Sequence, residues 1–406
     1  MLNPDLAASL SGLSRQLSDA GDHDGALEAI QKAAKLYSEL AAQRPDVYNS
    51  DLAMSLINLS NCLYDVGDRD GALQAIQKAV TLYKELASER PDLFKADLAG
   101  SLNNLSNCLS DVGDRDGALQ TIQEAVSFRR ELAAERPDVF NPDLASSLTN
   151  LSDCLSAVGD RDGALRAGQE AVTIRRELAG KRPDLYNPGL ANSLSNLSGR
   201  LNAVGDRDGA LHAGQEAVTM LRKLAGKRPD LYNPDLARSL SNLSNRLGAL
   251  GDHDGAVQAG QDAVTLRREL AGKRPDVFNP DLATSLNNLS AQLGCVGDRD
   301  GALRTIQEAV ALRRELAGKR PDVFNPDLAA SLNNLSGCLS AVGERDGALQ
   351  AIQEAVTLFR ALAAQRPSVF NPDLAMSLRN LANSLDAAGS PDEAAAARQS
   401  AAAVTG

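Results

Sequence analysis

The sequence predicts an all-α fold, a right-handed α-solenoid of stacked antiparallel helix hairpins with about 18 helices. Three observations predict it. The string GDxDGA begins at Gly21, Gly67, Gly113, Gly159, Gly205, Gly251 and Gly297, with variants GERDGA at Gly343 and GSPDEA at Gly389, and every interval is 46 residues. Between these markers leucines fall at steps of four and three, the spacing of one helix face. A hairpin of this size cannot bury its own apolar face, so successive units must stack.

The period divides the chain into units 3–48, 49–94, 95–140, 141–186, 187–232, 233–278, 279–324 and 325–370, with a shortened capping unit at 371–406, all within one solenoid over 1–406. Unit 141–186 serves as the type. Asn141 is a good N-cap, Pro142 suits the first helical turn, and Asp143 sets a negative charge near the positive helix end. Leu144, Leu148, Leu151 and Leu155 then make the buried stripe of the first helix. Gly159 ends that helix in a left-handed conformation, and Asp160 caps the next one.

The second helix turns Ala164, Leu165, Ala171, Val172 and Ile174 inward and stops near Gly180, because Arg182-Pro183 forbids its continuation. The linker ends on an aromatic residue: Tyr48, Phe94, Phe140, Tyr186, Tyr232, Phe278, Phe324 and Phe370. A ring just before a helix start packs on the following turn, so these are read as staples between units and not as a ligand-stacking row.

The last unit replaces the large inward residues of its second helix with alanines and opens that helix on Ser390-Pro391-Asp392-Glu393, a capping-box pattern. One inward position of the second helix holds Ile30, Ile76, Ile122, Ile306 and Ile352, but Gly168, Gly214 and Gly260 in the middle units. Each glycine forgoes about 1.5–3 kcal/mol of burial and about 1 kcal/mol of helix propensity. Either the helices pack closer there, or the middle of the array is its softest part.

The order Leu148-x-Asn150-Leu151-Ser152-x-x-Leu155-x-x-x-Gly159-Asp160-x-x-x-Ala164, with Ala171 further on, resembles the tetratricopeptide repeat. The LxNLS core and long second helix are most similar to the kinesin-light-chain type. The resemblance covers essentially the whole chain. It departs in length from the usual unit of about 34 residues, with the excess placed in the second helix and linker. Leu148 also stands where a large aromatic is expected. The resemblance implies a superhelix that performs no catalysis and takes a protein or peptide in a concave groove lined by the first helices.

Composition narrows the function. The net charge is −11 and the charges are scattered, with no basic run, which argues against nucleic acid and anionic membrane as partners. No apolar run approaches the roughly 18–20 residues of a membrane span. The N-terminus MLNPDLAASL lacks the form of a signal peptide, so a cytoplasmic location is expected. Cys62, Cys108, Cys154, Cys295 and Cys338 never stand in CxxC spacing, which predicts small buried thiols and no metal. The turn Asp160-Arg161-Asp162-Gly163 lacks the spacing of a calcium loop. His23 and His253 stand where the other full units carry Arg and are read as solvated. No cofactor, metal or catalytic residue is expected.

Among polar residues, one asparagine recurs beside the leucine stripe: Asn58, Asn104, Asn150, Asn196, Asn242, Asn288, Asn334 and Asn380, with Gly12 in the first unit. At about 100° per residue the stripe centres about 120° from Asn150, so the amide borders the core and does not enter it. Two roles stay open. The resemblance implies that amides at this position bond the main chain of an extended peptide, to which an amide offers both a donor and an acceptor. Alternatively each amide bonds a neighbouring helix.

Around the ladder the face is small and polar, with Arg15 and Arg238 its long cations and Asp19, Asp65 and Asp111 near the N-terminal end. This arrangement predicts a modest affinity and a basic segment in the partner. Two rival readings remain: self-association through similar end units, and the sensor region of a larger signalling NTPase or protease.

Overall fold

A computed structural model describes residues 3–405. They are helical and fall into two compact units, Met1–Asp206 and Arg207–Gly406. The first holds α1 (Pro4–Asp19), α2 (His23–Gln43), α3 (Pro45–Asp65), α4 (Arg69–Glu89), α5 (Pro91–Asp111), α6 (Arg115–Glu135), α7 (Pro137–Ala157), α8 (Arg161–Lys181) and α9 (Pro183–Ala203). The second holds α10 (Arg207–Lys227), α11 (Pro229–Ala249), α12 (His253–Lys273), α13 (Pro275–Cys295), α14 (Arg299–Lys319), α15 (Pro321–Ala341), α16 (Arg345–Gln365), α17 (Pro367–Ala387) and α18 (Pro391–Thr405). Within each unit, helices adjacent in sequence pack together, and odd-numbered helices also touch the next odd-numbered one, as in α5–α7 and α13–α15.

The inter-helix turn forms as its residues dictate. Gly159 has φ +88°, the left-handed region that a Cβ disfavours. Asp160 Oδ1 then accepts the Gly163 N–H at 2.8 Å. A Cβ on Gly163 would collide with that carboxylate, which accounts for the second glycine of the motif.

The start of the first helices differs from expectation. Asn3 caps α1, accepting from the N–H groups of Asp5 and Leu6. Elsewhere the helix begins five residues earlier, so that Pro137, not Pro142, is the first residue of α7 and Asn141 lies inside it. The linker shrinks to one residue, Arg136. A proline at the first position sacrifices no hydrogen bond. Pro142 does leave the Asp138 carbonyl without its usual donor, but Asp138 is at the exposed start of the helix, where water can reach it. The early start places Phe140 on a rigid turn, half-buried against the cluster of Leu144 and Leu148. The 12 extra residues per unit therefore lengthen both helices, to 21 residues each.

Burial follows the leucine and alanine stripes. Leu144, Leu148, Ala164, Ala171 and Val172 are buried, while Leu151, Leu155, Leu165 and Ile174 are partly so. Fixed small polar residues complete the core. Ser152 is buried and donates from Oγ to the Ala164 carbonyl at 2.8 Å, tying the two helices of a hairpin; Ser14, Ser60, Ser106, Ser244 and Ser336 do the same.

A second row runs along the even helices. Tyr37, Tyr83, Leu221 and Phe359 occupy a position that in the other full units holds Arg129, Arg175, Arg267 and Arg313. Arg129, Arg267 and Arg313 are buried, and each stands near a carboxylate fourteen residues on: Asp143, Asp281 and Asp327. Arg175 meets Gly189 instead, donating to its carbonyl at 2.6 Å and to the hydroxyls of Ser193 and Ser146. Burial pulls the guanidinium pKa of Arg129, Arg175 and Arg313 down. Opposite Tyr37 and Tyr83, the exposed Asp51 and half-buried Asp97 have no ion-pair partner among the described residues, and desolvation raises their pKa.

Gly168 makes room for a longer side chain. Thirty-two residues after each variable position stands its junction partner in the next first helix. Ile30, Ile76, Ile122 and Ile306 are followed by Cys62, Cys108, Cys154 and Cys338, and Ile352 by Ser384; Gly168, Gly214 and Gly260 are followed by Arg200, Arg246 and Gln292. A Cβ on Gly168 would lie 3.7 Å from Leu197 Cδ1 and 3.9 Å from Arg200 Cγ, so those side chains occupy the space an isoleucine fills elsewhere. Arg200 reaches across α7, donating to Ser152 at 3.2 Å, to Ser156 at 2.6 Å and to Asp153. At Gly260 the packing is closer: a Cβ would sit 3.1 Å from both Leu289 Cδ1 and Ser244 Oγ.

Candidate functional site

Every ladder asparagine lies on an odd-numbered helix, at the border of the core as helical geometry requires. Asn58, Asn104, Asn150, Asn196, Asn288 and Asn380 are half-buried, while Asn242, Asn334 and Arg238 are exposed. Their hydrogen bonding divides them. Asn150 Nδ2 donates to Asn103 Oδ1 at 3.2 Å and to Asn107 Oδ1 at 3.3 Å. Asn334 Nδ2 donates to Asn287 Oδ1 at 3.0 Å. Among the described residues, the side chains of Asn58, Asn104, Asn196, Asn288 and Asn380 make no hydrogen bond, and Arg238 is engaged with Asp235 of its own helix at 2.8 Å.

Clefts open between successive odd helices. One of about 570 Å³ lies among α3, α5 and α7, lined by Asn61, Tyr64, Asn104, Asn107, Asp111 and Asn150. Another of about 540 Å³ lies among α13, α15 and α17, with Asn333, Asn334, Asn380 and Asn383 on its wall. A smaller one of about 240 Å³, between α1 and α3, is bounded by Arg15, Asp19, Asn58 and Asp65. Asn196, Asn242, Asn288 and Arg238 line none of these three.

Electrostatics in the clefts are milder than the sequence suggests. Asp65 has His23 Nδ1 at 3.9 Å, Arg69 donates to the Asp111 carbonyl at 3.5 Å, and Asp153 is held by Arg200. Burial raises the thiol pKa of Cys108 and Cys338, which keeps them protonated and weakly nucleophilic. Cys62 and Cys154 are buried as expected, whereas Cys295 at the end of α13 is exposed. His253 differs from expectation too: it is half-buried, and its Nδ1 is shielded without a partner. Among the described residues no cluster could hold a metal ion, and no helix is long and apolar enough to cross a membrane.

Sequence reasoning missed the asparagine before the ladder in the doubled pairs. Asn103 Oδ1 accepts from Ser147 Oγ at 2.9 Å as well as from Asn150, and Asn287 Oδ1 accepts from Ser331 Oγ at 3.0 Å as well as from Asn334. Asn333 turns the other way, donating to Ser377 Oγ at 2.7 Å. The signal was the doubled asparagine of SLNNLS, followed 44 residues later by a fixed serine on the next first helix.

The tetratricopeptide-repeat family profile matches residues 52–92, 98–137, 144–184, 190–230, 236–278, 282–324 and 328–363. No curated protein matches the sequence. Among solved structures, the apo form of RapI is similar at 14% identity and TM-score 0.63, covering 98% of this chain and 97% of its own. BtubC (BKLC) of P. vanneervenii is similar at 22% identity and TM-score 0.50, over 60% of this chain and 90% of its own. A kinesin light chain of nearly identical TPR-like repeats from Podosopora anserina shares 18% identity at TM-score 0.44, over 56% and 99%. These likenesses concern the fold, and the profile tiles the chain unit by unit: the protein belongs to the tetratricopeptide-repeat family, built here from 46-residue units.

Proposed function

We propose that this chain is a non-catalytic scaffold that holds an extended protein segment along its odd-numbered helices. The observation that carries this reading is the set of unengaged amides at cleft walls: Asn58, Asn104 and Asn380 each line a cleft and make no side-chain hydrogen bond among the described residues. An amide can meet a main-chain N–H and C=O alike, so a row of them suits a backbone whatever its side chains. The clefts hold no Trp, and Arg only at Arg15 and Arg299, few of the anchors that dominate tight interfaces, which points to modest affinity gathered over several units. Asp19, Asp65 and Asp111 at the N-terminal end favour a segment with Lys or Arg there, weakened by Arg69, whose guanidinium lies on the Asp111 carbonyl.

The test is a cellulose-bound array of random dodecapeptides, probed with the wild-type protein and with Asn58→Ala/Asn104→Ala/Asn380→Ala. Loss of array signal with an unchanged melting temperature is expected. Equal signal from the two proteins would count against the face, as would a drop in melting temperature large enough to explain the loss.

A further inference from the structure

We infer that the ladder is divided into spent and available rungs, and that the residue 47 places before each asparagine decides which. This inference rests on the peptide-binding reading above and sharpens it to particular residues. The two rungs tied to a neighbour, Asn150 and Asn334, each find an asparagine carbonyl at that distance, Asn103 and Asn287. Asn58, Asn104, Asn196 and Asn288 find no acceptor directed at them. Behind Asn104 stands Ile57, which has none. Ser11, behind Asn58, donates to its own Ala7 carbonyl at 3.1 Å, and Thr149, behind Asn196, to Ala145 at 2.9 Å. Hydroxyls of this kind bond back to their own helix and stay short. Ser241, behind Asn288, is paired with Ser285 at 3.0 Å.

Asn380 is the informative exception, since it does have an asparagine, Asn333, behind it. Ser377 donates its hydroxyl to the Asp373 carbonyl at 3.0 Å, so it accepts from Asn333 Nδ2. Asn333 is 7% exposed, and its Oδ1 is left without a partner. The contact that ties Asn150 and Asn334 is therefore unmade at Asn380, which stands unengaged on the cleft wall. Asn150 already uses both of its side-chain N–H groups and Asn334 one of its two, and those bonds fix the direction of each amide. Asn58, Asn104, Asn288 and Asn380 instead offer both N–H groups and a carbonyl free to turn toward a partner's backbone.

Nitrogen-resolved NMR of the asparagine side-chain amides tests this, with each signal assigned by single substitution. The probe is the capped peptide acetyl-(Gly-Ala)3-amide, which offers a backbone and little else. Signals of Asn58, Asn104, Asn288 and Asn380 are expected to shift on titration while those of Asn150 and Asn334 stay. Ile57→Asn supplies Asn104 with an acceptor and should weaken its response about fivefold, the worth of one net hydrogen bond. Asn287→Ile should release Asn334, whose amide has that one acceptor, so that it begins to respond, and it serves independently should Ile57→Asn fold poorly.

Equal responses from all rungs, or an Asn334 that stays silent in folded Asn287→Ile, would overturn the division and leave the peptide reading standing. Silence of every ladder amide at millimolar peptide would overturn both.

Discussion

The junction between a second helix and the next first helix offers the sharpest test of how the core is specified. Consider Gly168→Ile and Arg200→Cys, alone and combined. Isoleucine alone adds branches beyond a Cβ that already lies 3.7 Å from Leu197 Cδ1 and 3.9 Å from Arg200 Cγ, an overpacking worth about 1–3 kcal/mol. Cysteine alone removes the bonds from Arg200 to Ser152, Ser156 and Asp153. At about 1 kcal/mol each, with the half-exposed Asp153 discounted, and with a void left facing a glycine, the cost is about 2–3 kcal/mol.

Together the two changes recreate the Ile122–Cys154 junction, which buries isoleucine for about 1.5–3 kcal/mol. The double variant should then fall within about 1 kcal/mol of wild type, a coupling of at least about 2 kcal/mol. Repeat arrays can unfold in parts, so native-state hydrogen exchange of the α8 and α9 amides is the assay. Additivity within about 0.5 kcal/mol would refute the pairing. Gly168→Ala, whose Cβ has ordinary room, should stabilise by up to about 1 kcal/mol, whereas Gly260→Ala should not, because its Cβ meets Leu289 and Ser244 at 3.1 Å.

Asp97 has a folded pKa raised by burial, so the stability it contributes is present below its unfolded pKa of about 4 and lost as pH rises through the folded value; Asp97→Asn should raise the melting temperature at pH 7 and leave it unchanged at pH 3. An equal gain at both would show that ionisation is not the cause. Gly189→Asp should restore to Arg175 the carboxylate that Arg129 and Arg267 have and stabilise by about 1 kcal/mol through pairing and helix propensity, as read by thermal melting. Asn287→Ala strands donors from Ser331 and Asn334 and should cost about 1–2 kcal/mol in denaturant unfolding. At the chain ends Gln16 occupies the position of Cys62, and Arg398 that of Ile352. Head-to-tail contact would oppose two long polar side chains where each internal junction includes a short one, so light scattering should report a constant mass with concentration.

The fold was legible because the same instructions are written nine times, and local chemistry sufficed wherever a turn depends on two or three residues, as at Gly159 and Asp160. Helix starts were misread because most units carry two prolines fit for a first position, such as Pro137 and Pro142, and propensity alone cannot rank them. The sequence held the deciding clue. Units beginning at 49 and 95 have Ser50 and Ala96 in place of the second proline, yet keep Pro45 and Pro91, so the Arg-Pro start is the one common to every first helix after α1.

The ladder was legible as a position but not as a set of hydrogen bonds. Asn104 and Asn150 are each followed by Leu-Ser and sit at the same angle to the core; what separates them is Ile57 against Asn103, one unit back. In a repeat array the meaning of a border residue is fixed pairwise, by the residue one period away that shares its junction. The same rule covers Gly168 with Arg200 and Ile122 with Cys154. Reading such a chain one unit at a time recovers the hairpin, while reading it in pairs a period apart recovers which polar groups the fold has consumed and which it leaves for a partner.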